Sequence, residues 1–167
     1  MHFPETHRWE LIDGEALVVP SPNTRHQDVA GELHILIGNH LKEHGGGRVF
    51  IAPYDVLLSE TDVVQPDIVF VSDADAKVIT EANVRGTPTW VIEVLSDPTR
   101  DRDLKRRLYE RAGVPEYWIV DPDGPTIEIH RLRDGRYREP AVLRPGTPAA
   151  AAALPGFAVD PGDLATP

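Results

Sequence analysis

Apolar positions in the first quarter of the chain follow two different periods. The runs Trp9-Glu10-Leu11-Ile12 and Ala16-Leu17-Val18-Val19 flank Asp13-Gly14. That dipeptide favours the two-residue turn with positive φ at both positions, so the spacing predicts a β-hairpin over residues 9–19. From about Arg25 to His44 the period lengthens. Val29, Leu33, Leu36, Ile37, His40 and Leu41 recur at intervals of mostly three and four, which predicts a helix with one apolar face. Asn23 or Thr24 can cap its start, and Gly45-Gly46-Gly47 ends it. Because the triple glycine follows a helix, it reads as a C-cap and turn; a phosphate-binding loop would precede one.

Residues 48–58 read as a strand broken near Pro53, and residues 63–71 as the next strand, with Asp62 in the connecting turn. The two are expected to pair as an antiparallel hairpin. Pro66 removes a ladder donor and marks an edge, a bulge or a bend. A short helix is expected within 73–82 and a strand over 89–95. A second helix follows over 99–112, with Leu104, Leu108 and Ala112 as its buried stripe and Thr99 or Asp97 as its cap. Residues 116–121, 126–132 and 136–143 read as strands, the last two joined at Asp134-Gly135. The segment from 89 to 120 has the length of a right-handed βαβ crossover. The order predicts an α/β fold: a mixed sheet flanked by helices, with an N-terminal hairpin and extra C-terminal strands. No Gly-rich turn follows the first strand, which excludes a dinucleotide-binding fold.

The length of 167 residues suits a single domain, with a core over about 8–144 and a Pro/Ala-rich tail over 145–167. Leu154 and Phe157 are the tail's apolar pair and are expected to dock on that core. Hydrophobic residues make up 41% of the chain and no apolar run reaches bilayer length, so a membrane partner is not expected. The absence of cysteine excludes disulfides and thiolate zinc sites and fits a cytoplasmic protein. The net charge of −10 argues against coating nucleic acid through overall charge. Its distribution is uneven: residues 1–95 hold 6 basic against 15 acidic residues, while residues 96–139 hold 10 of each.

Two carboxylates stand inside otherwise apolar strands: Asp67 within Val63–Val71 and Glu93 within Trp90–Leu95. An ionised carboxylate at a half-buried position is costly unless it is paired or binds a cation. If the two strands are neighbours, Asp67 and Glu93 converge on a site for a hard divalent cation such as magnesium. Lys105, on the following helix, could then position a water or offset phosphate charge. Asp101, Lys105 and Tyr109 share one face of that helix at spacings of four. The structural alternative is that these carboxylates end in buried salt bridges and that Asp101 and Lys105 form an ordinary helix pair. The seven histidines show no zinc spacing, apart from the i,i+4 pair His40 and His44, which lacks a clear third ligand. There is no Gly-x-Ser-x-Gly, so serine hydrolase chemistry is unsupported.

Four blocks carry a family resemblance: Val64-Gln65-Pro66-Asp67-Ile68-Val69-Phe70-Val71; Val91-Ile92-Glu93-Val94-Leu95-Ser96; Asp101, Lys105 and Tyr109; and Ala112 through Pro122, which includes Glu116-Tyr117-Trp118-Ile119-Val120-Asp121. With Glu10-Leu11-Ile12-Asp13-Gly14-Glu15 and His26, they resemble the Uma-two family, bacterial proteins described as endonucleases. The similarity covers about residues 8–160. It implies a restriction-endonuclease-like fold of the PD-(D/E)XK nuclease superfamily. By this resemblance Pro66-Asp67 is the PD element and Glu93 the second acidic residue. The strand lysine is replaced by Leu95, and Lys105 takes its place from the helix. Glu32, on the first helix, is the candidate helper glutamate, with His26 as a secondary candidate. The implied function is a metal-dependent endonuclease acting on DNA. In it Asp67, Glu93 and the Val94 carbonyl hold Mg²⁺ or Mn²⁺, and Lys105 serves the reacting phosphate. Arg100, Arg102, Arg106 and Arg107 are candidate phosphate contacts, and a homodimer would supply two sites for two strands. The rival readings are a catalytically silent restriction-like fold used for binding or assembly, and a hydrolase of a small phosphate ester.

Overall fold

A computed structural model describes residues 8–164 of the chain. The predicted N-terminal hairpin forms from β1 (Arg8–Ile12) and β2 (Glu15–Val19), paired from Arg8↔Val19 to Ile12↔Glu15. Asp13 and Gly14 turn it with φ of 53° and 78°, as the turn type requires. Helix α1 (Thr24–His44) begins where Asn23 Oδ1 accepts the His26 N–H at 2.9 Å, and it buries Val29, Ala30, Leu33 and Ile37. The Gly45 N–H returns to the Leu41 carbonyl. At Gly47 a Cβ would strike the Val71 carbonyl and the Phe70 ring, so the strand after the helix needs glycine to lie this close to its neighbour.

The single hairpin expected over 48–71 is two nested pairs in two sheets. Strands β3 (Gly47–Ile51) and β4 (Val56–Leu57) are separated at Pro53; β5 (Val63–Val64) and β6 (Ile68–Ser72) are separated at Pro66. β3 pairs with β6, ending at Ile51↔Ile68, and β4 pairs with β5. Each proline lacks an N–H for the ladder, so the paired chains leave one sheet and enter the other at these points. Pro66 therefore marks a bend, the third of the options its position allowed.

A 3₁₀ turn (Asp73–Val78) and the short β7 (Val84–Arg85) lead to β8 (Trp90–Val94). Helix α2 covers Arg100–Arg111, but its first six residues, Arg100–Lys105, are a π-helix and only Arg106–Arg111 are α-helical. Asp97 caps it, its Oδ1 accepting from the Thr99 and Arg100 N–H groups. The remaining strands are β9 (Glu116–Asp121), β10 (Thr126–Arg133), β11 (Arg136–Tyr137), β12 (Ala141–Leu143), β13 (Ala149–Ala150) and β14 (Ala158–Val159). The strand expected over 136–143 is thus split between β11 and β12, both of which pair with β10.

The main sheet has the order β11-β10-β9-β8-β6-β3, with β12 also on β10; a second sheet runs β2-β1-β5-β4-β7. β8 and β9 are parallel, joined through α2 as the expected crossover, and the other main-sheet pairs are antiparallel. Alternation along β6 and β8 divides the core. Ile68, Phe70, Trp90, Ile92 and Val94 pack with α1 and the C-terminal tail. Val69 and Val91 pack with Leu108 and Tyr109 of α2 and with the second sheet. The tail docks as expected: Leu154 and Phe157 are buried, the Phe157 ring centroid lies 6.0 Å from that of Trp90, and Glu116 Oε2 accepts the Ala153 N–H. Phe157→Ala should therefore cost about 3 kcal/mol of unfolding free energy, the usual loss for a buried phenyl ring. Urea denaturation measures this, and a loss below about 0.5 kcal/mol, the range of an ordinary surface substitution, would remove the tail from the core.

Candidate functional site

The register of β6 on β8 builds the site. Ile68 pairs with Ile92, Val69 with Val91 and Phe70 with Trp90. One step further on this register Asp67 stands opposite Glu93. Pro66 has already turned the chain out of the sheet, so the Asp67 side chain takes over the ladder position: its Oδ2 accepts the Val94 N–H at 2.8 Å. The N–H and C=O of one strand residue point the same way, so the Val94 carbonyl also faces Asp67. His26, at the start of α1, completes the hold on Asp67 with its Nε2 3.0 Å from the same Oδ2.

Glu93 is held from the helix side. Its Oε1 accepts from Lys105 Nζ at 2.8 Å and from the Tyr109 hydroxyl at 2.7 Å. Lys105 also donates to Glu10 Oε1, at 3.0 Å, and that same oxygen accepts the Gln65 N–H. Asp101 is buried, and its Oδ2 accepts from the Ser96 and Asp97 N–H groups, which ties the loop after β8 to α2. The π-turn carries both Asp101 and Lys105 inward, and Tyr109 follows on the same side. Such turns are rare and often mark functional positions.

A cavity of about 30 Å³, room for roughly one water, lies among these groups; Asp67, Glu93, Val94, Asp101, Lys105 and His26 all border it. Among the described residues, no hydrogen bond reaches Asp67 Oδ1 or Glu93 Oε2. The free carboxylate atoms and the Val94 carbonyl are oxygens, the set a hard cation takes; His26 also borders the cavity, and its Nδ1 is buried without a hydrogen-bond partner among the described residues. Among the described residues, no three or more His, Asp or Glu side chains are arranged around one point as a closed metal cage.

The sequence matches the profile of a family described as "Putative restriction endonuclease" over residues 1–164. The chain belongs to the Uma2 family. No curated protein matches it. Among solved structures, the Uma2 chain is similar to one described as a putative nuclease belonging to DUF820 from Anabaena variabilis. The TM-score is 0.80 at 20% identity, covering 97% of this chain and 92% of that one. The fold is accordingly restriction-endonuclease-like.

Not every residue singled out in the Uma2 sequence reaches the cavity. Glu32 is exposed on α1 and does not border it. Arg100 does border it, half-buried. Arg102 is instead paired with Glu128 of β10 at 2.7 Å, and Arg106 lies 3.6 Å from Glu110, one turn along its own helix. Arg107 is exposed on a groove of about 440 Å³ that it shares with Arg100. Successive residues of a helix point in different directions, so four nearby arginines cannot all serve one point. Two further residues belong at the site. Glu10 holds Lys105 from behind, and Arg8 borders the cavity with its guanidinium donating to the Gln65 side-chain and backbone oxygens.

Burial dominates the electrostatics. It pushes the Glu93 carboxyl up to about 8 against the opposing charge of Lys105, with Asp67, Asp101 and Glu10 adding to the rise. Burial likewise raises Asp101, opposed by Lys105 and by its two backbone donors. For Lys105 burial works against the charged form, but Glu93, Glu10 and Asp101 outweigh it and hold the ammonium well above the ordinary lysine range.

A raised carboxyl means that the native state binds the Glu93 proton more tightly than the unfolded state does. The resulting stability is full below about pH 4.5 and is lost as pH rises through 8. Glu93→Gln removes this titration while keeping the side chain's shape. It should therefore gain stability relative to wild type between pH 5 and pH 8.5, by roughly 1–3 kcal/mol, as a buried ionisable group loses its desolvation cost. Urea midpoints at the two pH values test this; a stability difference independent of pH would contradict it.

Proposed function

We propose that this Uma2 protein is a divalent-metal-dependent endonuclease that hydrolyses phosphodiester bonds in DNA. The supporting observation is the cavity that gathers Asp67, Glu93, Val94 and Lys105, with one oxygen of each carboxylate outside any hydrogen bond among the described residues. Asp67 Oδ1, Glu93 Oε2 and the Val94 carbonyl would hold Mg²⁺ or Mn²⁺, leaving the other coordination positions to water and substrate, as magnesium favours. A bound ion of this kind neutralises phosphate charge and lowers the pKa of a water.

The protein's own groups do the rest. Val94 N–H and His26 fix Asp67 through Oδ2, which leaves Oδ1 aimed without rotational freedom. Lys105 carries three donors, two of them engaged by Glu93 and Glu10, so the third is available to a phosphate oxygen or a water. Arg100, between the cavity and the neighbouring groove, and Arg107 further along it would follow the phosphate backbone. Arg8, which also borders the cavity, would add a further positive charge there.

The net charge of −10 favours a second reading, a restriction-like fold that binds partners without cutting. Supercoiled plasmid separates the two. Purified protein with Mg²⁺ or Mn²⁺ should nick it, and Asp67→Asn and Lys105→Met should each lower the rate by about 100-fold or more, the scale of losing a transition-state group. Plasmid left intact while nucleotides are hydrolysed would instead identify a small phosphate-ester hydrolase.

Metal binding has its own readout. Saturating Mn²⁺, at about 100 times its dissociation constant, should stabilise the wild-type fold by about 2.7 kcal/mol and leave Asp67→Asn unchanged. No stabilisation of wild type by either ion would remove the nuclease reading.

A further inference from the structure

Glu10 is a buried carboxylate that the proposed chemistry does not use. It lies on β1, in the second sheet, and reaches a lysine 95 residues away. Its side chain is fully buried, yet it does not border the cavity. Oε1 is fixed twice, by Lys105 Nζ and by the Gln65 N–H, each at 3.0 Å. Gln65 is two residues from Asp67, so Glu10 is anchored to the segment that carries the first carboxylate of the site. Lys105 thus stands between two carboxylates, Glu93 facing the cavity and Glu10 behind.

We propose that Glu10 is a positioning residue that keeps the Lys105 ammonium at the cavity when Glu93 is engaged by a divalent cation. The inference rests on the reading of Asp67 and Glu93 as cation ligands. Once Glu93 shares its charge with a cation, its hold on the ammonium weakens, and Lys105 then faces a like charge across a cavity sized for about one water. Asp101 adds negative charge nearby but, among the described residues, no hydrogen bond to the ammonium, so without a second anion in contact the long side chain would turn away. Glu10 supplies that anion from the side opposite the cavity, where it cannot compete as a ligand.

The test reads the lysine directly. The chain has three lysines, and Lys42 and Lys77 are exposed, so a slowly exchanging ammonium resonance in ¹⁵N-lysine-labelled protein belongs to Lys105. Lys105→Met confirms the assignment by removing it. Wild type should keep this resonance, shifted, at saturating Mg²⁺. Glu10→Gln, which preserves the shape and the Oε1 acceptor, should keep it without Mg²⁺ and lose it to exchange at least tenfold faster at saturation. The same variant should lower kcat on plasmid by 10- to 100-fold with KM within twofold.

Loss of the resonance from wild type on adding Mg²⁺ overturns the proposal, and this arm holds even if the variant fails to fold. Retention in Glu10→Gln as in wild type also overturns it. A titration in which Mg²⁺ moves no resonance of wild type or of Asp67→Asn defeats the cation reading itself and this proposal with it.

Discussion

The ammonium of Lys105, shared between Glu93 at 2.8 Å and Glu10 at 3.0 Å, is the interaction on which the arrangement depends. Four carboxylates, Glu10, Asp67, Glu93 and Asp101, are buried close together around it. Left to themselves they would repel one another and protonate. One cation tolerates this crowd because each carboxylate has further donors: Gln65 for Glu10, Val94 for Asp67, Tyr109 for Glu93, and Ser96 with Asp97 for Asp101. Glu10 lies in the second sheet, and the donors come from the sheet-switching segment, β8 with the loop after it, and α2. The charges therefore fix how these four parts of the fold sit together, at a cost in stability that a purely apolar packing would avoid.

Two local features make that placement possible. Pairing with β8 stops at Ile68, two residues from Pro66, so Asp67 lies opposite Glu93 with its backbone held, among the described residues, only on the β3 side, where its carbonyl accepts the Ala52 N–H. The π-turn at the start of α2 then brings Asp101 and Lys105 to the buried side while Arg102 still reaches Glu128 on β10. With the lysine on the helix, strand position 95 is left to Leu95, which packs against the apolar core on the α2 side of the sheet. A lysine on the strand would have alternated to the same face as Glu93, and the helix reaches that face from above.

Much of this was legible in the sequence because it is local. The hairpin followed from Asp13-Gly14, α1 from its apolar period, and the crossover from the length of chain between two apolar strands. Asp67 and Glu93 could be picked out because charges inside apolar strands are rare, and Lys105 and Tyr109 because they share one helix face at a spacing of four. Glu10 could not, because its strand looks like an exposed one. Trp9 and Val18, paired across the hairpin, are 57% and 44% exposed, and only a helix almost a hundred residues later buries the other face. Glu32 lies away from the cavity for a reason that helical geometry contains. Six residues separate it from His26, about 240° around the helix at 100° per residue. With His26 turned to Asp67, Glu32 must face away.

The acidity of the chain bears on the chemistry less than its total suggests. The first 95 residues carry 15 acidic side chains, but Glu10, Asp62, Asp67 and Glu93 are among the buried ones. Asp62 accepts from Arg111 and from the Asp13 N–H, so it serves to tie α2 to the hairpin turn. Charges beyond about 10 Å of an approaching phosphate are largely screened at physiological salt. What a nucleic acid backbone would meet at the cavity is the local set, half-buried Arg8 and Arg100 and buried Lys105. An interior surplus of carboxylates, compensated by one lysine, is itself a reason for such a site to take up a divalent cation. In the proposed reading such uptake would relieve the repulsion that Asp67, Asp101 and Glu10 impose on Glu93, and the same negative charge that opposes nucleic acid at long range would supply affinity for the ion.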